Sequence, residues 1–173
     1  GIGRLDKVLA RYKLDIPESV QIIGDFYSEM HRYFAFKSSG KLLGDTGQII
    51  VLGGIDPNGD YFCNEYTHIF IEVMRDKPIP DPKILLRISS KMPDDLLELA
   101  IQCIATGVGC PLLSNDDVII PALEEFGYTH ADACNYVTSA CWEPMAYGKS
   151  LEKNNIKSIN FGRCFEKTYN NDE

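Results

Sequence analysis

The chain has 173 residues, 45% of them apolar and 24% charged, a composition that suits one domain with a sizeable core. Its 25 acidic side chains against 17 basic ones give a formal charge of −8, which repels phosphate backbones and anionic lipid and argues against nucleic acid or a membrane surface as partner. The longest apolar runs, IIVL at 49–52 and VIIPAL at 118–123, are too short to span a bilayer.

In GRLDKVLARYKLD, Leu5, Val8, Leu9 and Tyr12 fall at helical spacing. A second helix is expected from about Pro17, a residue suited to a first turn, to about Phe36, with Val20, Ile23, Phe26, Met30 and Phe34 on one face. After the Ser-Ser-Gly break at 38–40, QIIVLGG reads as a buried strand ended by glycines. FCNEYTHIFIEVMRDK then restores the helical period. Asp81 and Pro82 precede a second buried run, ILLRIS. Pro93, followed by Asp94 and Asp95 in a turn that suits the helix dipole, opens a helix that Gly107 ends. CPLLSN is a third short strand, and Asn115 or Asp116 caps DDVIIPALEEFG. Thr129 to Asp132 starts a short helix in the manner of a capping box, and NYVTS returns to β-type residues just before Cys141. Strand–helix–strand alternation at this spacing predicts parallel βαβ units, hence an α/β barrel or wound sheet with its chemistry on loops beyond the strand ends.

No charged-then-apolar leader opens the chain, and Gly1 stands where an initiator Met is missing, which suggests an excised or processed segment. The six cysteines, at 63, 103, 110, 134, 141 and 164, contain no C-x2-C pair, and the two C-x6-C intervals match no common metal spacing. A chain of this size does not need disulfides for a core, so reduced thiols in a cytosol are expected. Cys103, Cys110 and Cys134 fall in or beside expected elements and read as core.

Cys141 differs, because it lies in TSACWEPM at 138–145. Pro144 drives Glu143 out of the helical region, and in an extended segment residues two apart share a face at roughly 6.5–7 Å between Cα atoms. Cys141 and Glu143 therefore address one small molecule together, while Trp142 faces the other way as an anchor. A thiolate nucleophile wants a neighbouring cation, and His31, His68 and His130 are not placed to supply one. A neutral thiol or thiyl radical has no such need, and the carboxylate then acts as a base on a substrate hydroxyl. A packed cysteine beside a surface glutamate is the plainer alternative on these residues alone.

Several ordered blocks carry a resemblance: GIGRLDKVL at 1–9, GQIIVLGGIDPNG at 47–59, NEYTHIFIEV at 64–73, DPKILLRIS at 81–89, GCPLLSNDDVIIPAL at 109–123 and ADACNYVTSACWEP at 131–144. Together they resemble the large barrel of the glycyl radical enzymes related to pyruvate formate-lyase. The resemblance implies one partial barrel domain over residues 1–173, built of parallel-stranded half-barrels, with Cys141 as the thiyl-radical residue and Glu143 as the base. It implies no directly bound cofactor; the radical resides on a C-terminal glycine outside this chain and is installed by a radical S-adenosylmethionine activating enzyme. The expected partners are that enzyme, a small-molecule substrate and, for the full-length form, a second copy in a homodimer, in the cytoplasm of an anaerobic bacterium. The acyl-transferring branch has two adjacent cysteines, whereas Ala140 and Trp142 flank Cys141, so dehydration or C–N or C–O cleavage of a small hydroxylated substrate is favoured over formate acetyltransfer. Ala140 and Trp142 depart from the Gly-Cys-Val-Glu-Pro of that branch. No Arg-Val-(Ser/Ala)-Gly-Tyr radical motif occurs in the chain, so a catalytically silent barrel segment serving as scaffold or binding module is the alternative.

Other features read more plainly. Arg4 and Asp6 look structural, Asn115 to Asp117 a helix cap, Gly53-Gly54 a turn, and His68 a packed or hydrogen-bonded histidine.

Overall fold

A computed structural model describes residues 2–37, 49–139, 143–150 and 160–169. The elements run β1 (Gly3–Arg4), α1 (Leu5–Leu9), α2 (Ile16–Lys37), β2 (Ile49–Gly53), α3 (Glu65–Asp76), β3 (Lys83–Ile88), α4 (Asp94–Ala105), β4 (Leu112–Asn115), α5 (Asp116–Glu125), α6 (His130–Cys134), β5 (Tyr136–Ser139), β6 (Glu143–Ala146) and α7 (Phe161–Tyr169). Strands β1 to β4 form one sheet in sequence order, every pair parallel. That is the expected α/β architecture with a parallel sheet.

The apolar runs are continuous because both sheet faces are covered. Ile50, Leu52, Ile84 and Leu86 point to one face and pack on Ile23 and Tyr27 of α2, Phe70 and Met74 of α3, and Leu96 and Cys103 of α4. Ile49, Val51 and Leu85 point to the other face and meet Val137 of β5. Helices thus lie outside and the β5–β6 hairpin lies against the inner face. The helix starts follow the sequence chemistry. Asn64 accepts from the Thr67 amide and Thr67 Oγ1 accepts from the Asn64 amide, a capping box for α3. Asn115 accepts from the Asp117 amide at the start of α5, and Thr129 from the Asp132 amide at the start of α6.

Three differences from the sequence reading have physical causes. The helical period at Leu5 to Leu9 conceals a two-residue strand, β1, which pairs Gly3 with Ile50 and Arg4 with Val51. Helix α3 begins at Glu65, so Phe62 is not on its apolar face but under the cations of Arg4 and Lys7. Finally, β5 continues into an antiparallel partner, β6, that includes Pro144. A proline is tolerated there because a two-stranded ribbon has free edges.

Candidate active site

Inner-face residues at the C-terminal ends of the strands carry the site. Arg4 follows Gly3 on β1 opposite Val51, and Arg87 lies two residues beyond Leu85 on β3, so both guanidinium groups project inward at the same end of the sheet. Their surroundings differ sharply.

Arg87 and Asp116 are fully buried, and the guanidinium donates from Nε to Asp116 Oδ1 at 2.9 Å and from Nη2 to Oδ2 at 2.7 Å, a two-point pair. Nη1 donates to the Cys134 carbonyl at 3.0 Å and the Tyr136 carbonyl at 3.5 Å, and Nη2 also reaches the Ile55 carbonyl. Asp116 accepts from the Ile55 amide at 2.7 Å and from the Tyr136 hydroxyl at 2.8 Å, and Ser114 pairs with that hydroxyl. The Tyr136 ring lies 4.1 Å from Arg87 Cζ, and burial pushes the Tyr136 hydroxyl pKa well up. Gly54, at φ +107°, is needed beside this pair: a Cβ there would meet Arg87 Nε at 2.6 Å. The sequence reading placed Asn115 to Asp117 as a cap; only Asn115 caps, while Asp116 anchors this ion pair. The missed signal is an arginine inside a run that is otherwise buried on both faces.

This node fixes the root of the hairpin. Tyr136 is held at the strand ends, whereas Val137 already packs on Ile49, Val51 and Leu85 lower on the sheet. The hairpin therefore runs down the inner face, and Ser139 pairs with Glu143 at its far end. Glu143 is half-buried, and its Oε2 is buried with no hydrogen-bond partner among the described residues. A buried acceptor without a donor is costly, and a catalytic role is one of the reasons such a group is kept. Cys141 lies outside the described residues. Cys103, Cys110 and Cys134 are buried, as expected, and Cys63 is half-buried. His68 hydrogen-bonds the Asn64 carbonyl at 3.0 Å and Asp95 at 3.3 Å, a structural role.

Asp6 is buried and accepts from the Gly53 amide at 2.7 Å, the Thr67 hydroxyl at 3.0 Å and the Lys7 amide at 2.8 Å. Burial pushes its pKa up, and the Gly53 hydrogen bond opposes that rise. Among the described residues no group of three or more His, Cys, Asp or Glu side chains is arranged to hold a metal, and no helix is long and apolar enough to cross a membrane.

A family model described as pyruvate formate lyase-like matches residues 2–173. The isethionate sulfite-lyase of Nitratidesulfovibrio vulgaris strain Hildenborough is 29% identical over 119 residues, covering 69% of this chain and 14% of that enzyme. The trans-4-hydroxy-L-proline dehydratase of Clostridioides difficile is 35% identical over 97 residues, covering 56% of this chain and 12% of that enzyme. The B12-independent glycerol dehydratase of Clostridium butyricum superposes with a TM-score of 0.83 at 24% identity, over 97% of this chain and 22% of that one, a likeness of fold. The chain thus spans less than a quarter of the length of each of these relatives.

Proposed function

Because the chain belongs to the pyruvate formate lyase-like family, we propose that it forms the thiyl-bearing part of the barrel in a glycyl radical lyase or dehydratase. The observation that carries this reading is Glu143. Its buried, donor-less carboxylate oxygen stands at the far end of an inward-running hairpin, two residues after Cys141. Relatives named as a sulfite-lyase and a dehydratase support elimination from a small hydroxylated molecule as the reaction class.

In this reading Cys141, as thiyl, takes a hydrogen atom from a substrate carbon that bears a hydroxyl. Glu143 accepts the hydroxyl proton, the neighbouring leaving group departs with its bonding electron pair, and Cys141 returns its hydrogen atom to the product radical. The Cys141 thiyl radical is regenerated, and the proton held by Glu143 leaves with the departing group, so the cycle balances in atoms and electrons. The radical is supplied by a glycine outside this chain and installed by a separate activating enzyme, and the full-length protein acts as a homodimer. A single partial barrel domain fills residues 1–173. Acyl transfer is disfavoured because Ala140 and Trp142, not a second cysteine, flank Cys141.

The test uses the activated full-length protein. Cys141→Ala abolishes turnover while the glycyl radical signal persists in the electron paramagnetic resonance spectrum, and turnover by that variant sinks the reading. Glu143→Gln lowers kcat by about 10²–10⁴-fold, the range for loss of a general base, and a loss below about tenfold makes the residue structural.

A further inference from the structure

The Arg4 side of the hairpin root is built unlike the Arg87 side. Arg4 is only 8% exposed, yet its guanidinium makes one hydrogen bond, from Nη2 to the Gly53 carbonyl. Nε and Nη1 are buried with no hydrogen-bond partner among the described residues, which leaves one N–H on the first and two on the second without an acceptor there. Both nearby buried carboxylates are occupied elsewhere: Asp6 by the Gly53 and Lys7 amides and Thr67, Asp116 by Arg87, Ile55 and Tyr136.

Arg4 lines a cleft of 260 Å³ together with Lys7, Arg11, Val137 and Tyr147. Among its described lining residues are three cations and no carboxylate, within a chain whose net charge is −8. Lys7 Nζ sits 4.8 Å from the centre of the Phe62 ring, whose face also receives Arg4 at 5.4 Å, so two cations converge on one aromatic. Burial followed by the neighbouring Arg4 charge lowers the Lys7 pKa to about 8, outweighing the opposing pull of Asp6 and Asp56. Clustered positive charge around one cavity, beside buried N–H groups that lack an acceptor among the described residues, is the complement of an anion. The cavity is smaller than the 300–1,000 Å³ usual for drug-sized ligands, which favours a compact one.

We propose that this cleft binds a small oxyanion, a sulfonate, carboxylate or phosphate group, held by Arg4 and Lys7 at the root of the β5–β6 hairpin. The site is separate from the Glu143 end: Val137 and the Ser139–Glu143 row are two residues apart, roughly 7 Å along the strand. It therefore stands or falls independently of the radical reading.

The experiment titrates sodium sulfate and, separately, sodium acetate into the full-length protein at fixed ionic strength by calorimetry. Thermal melting is followed in parallel. One saturable site is expected, with a melting temperature that rises with anion concentration. Arg4→Met also removes the hydrogen bond to Gly53, so the diagnostic variant is the half-buried Lys7→Met, expected to weaken binding about tenfold or more, with Lys7→Arg retaining it within about threefold. A selenate soak should place an anomalous peak within hydrogen-bond distance of Arg4 Nε or Nη1. No saturable binding of either anion, an affinity unmoved by Lys7→Met, or a peak elsewhere overturns the proposal.

Discussion

Two arginines occupy the inner face of one parallel sheet, on β1 and β3, and both are buried at the same end of the strands. Arg87 is paired with a carboxylate through two nitrogens, and every one of its nitrogens has an acceptor. Among the described residues Arg4 has one carbonyl partner and two nitrogens with none. Burial alone therefore does not say what a charged residue is for; the completeness of its hydrogen bonding does. A completed network fixes structure, and an incomplete one waits for a molecule the chain does not itself supply.

Substitution separates the two. Arg87→Met removes the cation paired with the buried Asp116 and leaves an uncompensated charge, so equilibrium unfolding in urea should show a loss of about 3–5 kcal/mol. A loss under about 1 kcal/mol would erase the contrast. Arg4→Met gives up a single hydrogen bond and relieves two unsatisfied nitrogens, so it should cost about 1 kcal/mol or less in the same assay. A cost equal to that of Arg87→Met would make Arg4 a structural residue after all.

The smallest effect is one of pH. Lys7 falls from its ordinary 10.5 to about 8 in the folded chain, so between these values the unfolded chain holds a proton that the folded one has released. Stability therefore rises with pH from about 8 to 10.5, and the penalty of a charged Lys7 is present in full below 8. Arg4, lowered to about 10 chiefly by burial, extends the rise above that window. Lys7→Met should flatten the 8–10.5 part of a stability–pH curve, and saturating sulfate should flatten it too by matching the charge. A slope unchanged in Lys7→Met would remove Lys7 as its source.

Much of this architecture was legible in the residues. Strand β2 appears as a four-residue apolar run closed by Gly-Gly, β3 as the three apolar residues Ile84 to Leu86 ahead of Arg87, Ile88 and Ser-Ser, and α3 to α6 as periodic stretches behind Asn64, Pro93, Asn115 and Thr129. Strand β1 was not legible, because two residues carry no period and Leu5, Val8 and Leu9 impose a helical one on their surroundings. Strand β6 was hidden by Pro144, which signals extension without naming a partner. The pairing of Arg87 with Asp116 joins residues 29 apart, a distance that local pattern does not span. For the catalytic assignment, proline-enforced extension brought Cys141 and Glu143 together only as one of two readings. The choice came from the ordered blocks around them, which carry the family resemblance.

The clamp on the hairpin root has a mechanical consequence. Arg87 grips the backbone carbonyls of Cys134 and Tyr136, and the ribbon extends from there as a lever anchored at one end. From Tyr136 to Ser139 the arm is about 10 Å long at 3.4 Å per residue. A tilt of roughly 6° at the anchor then displaces the free end by about 1 Å, an error of the size that costs about a hundredfold where reacting atoms must meet. A guanidinium that touches no substrate thus sets the aiming tolerance of whatever the far end of the ribbon carries.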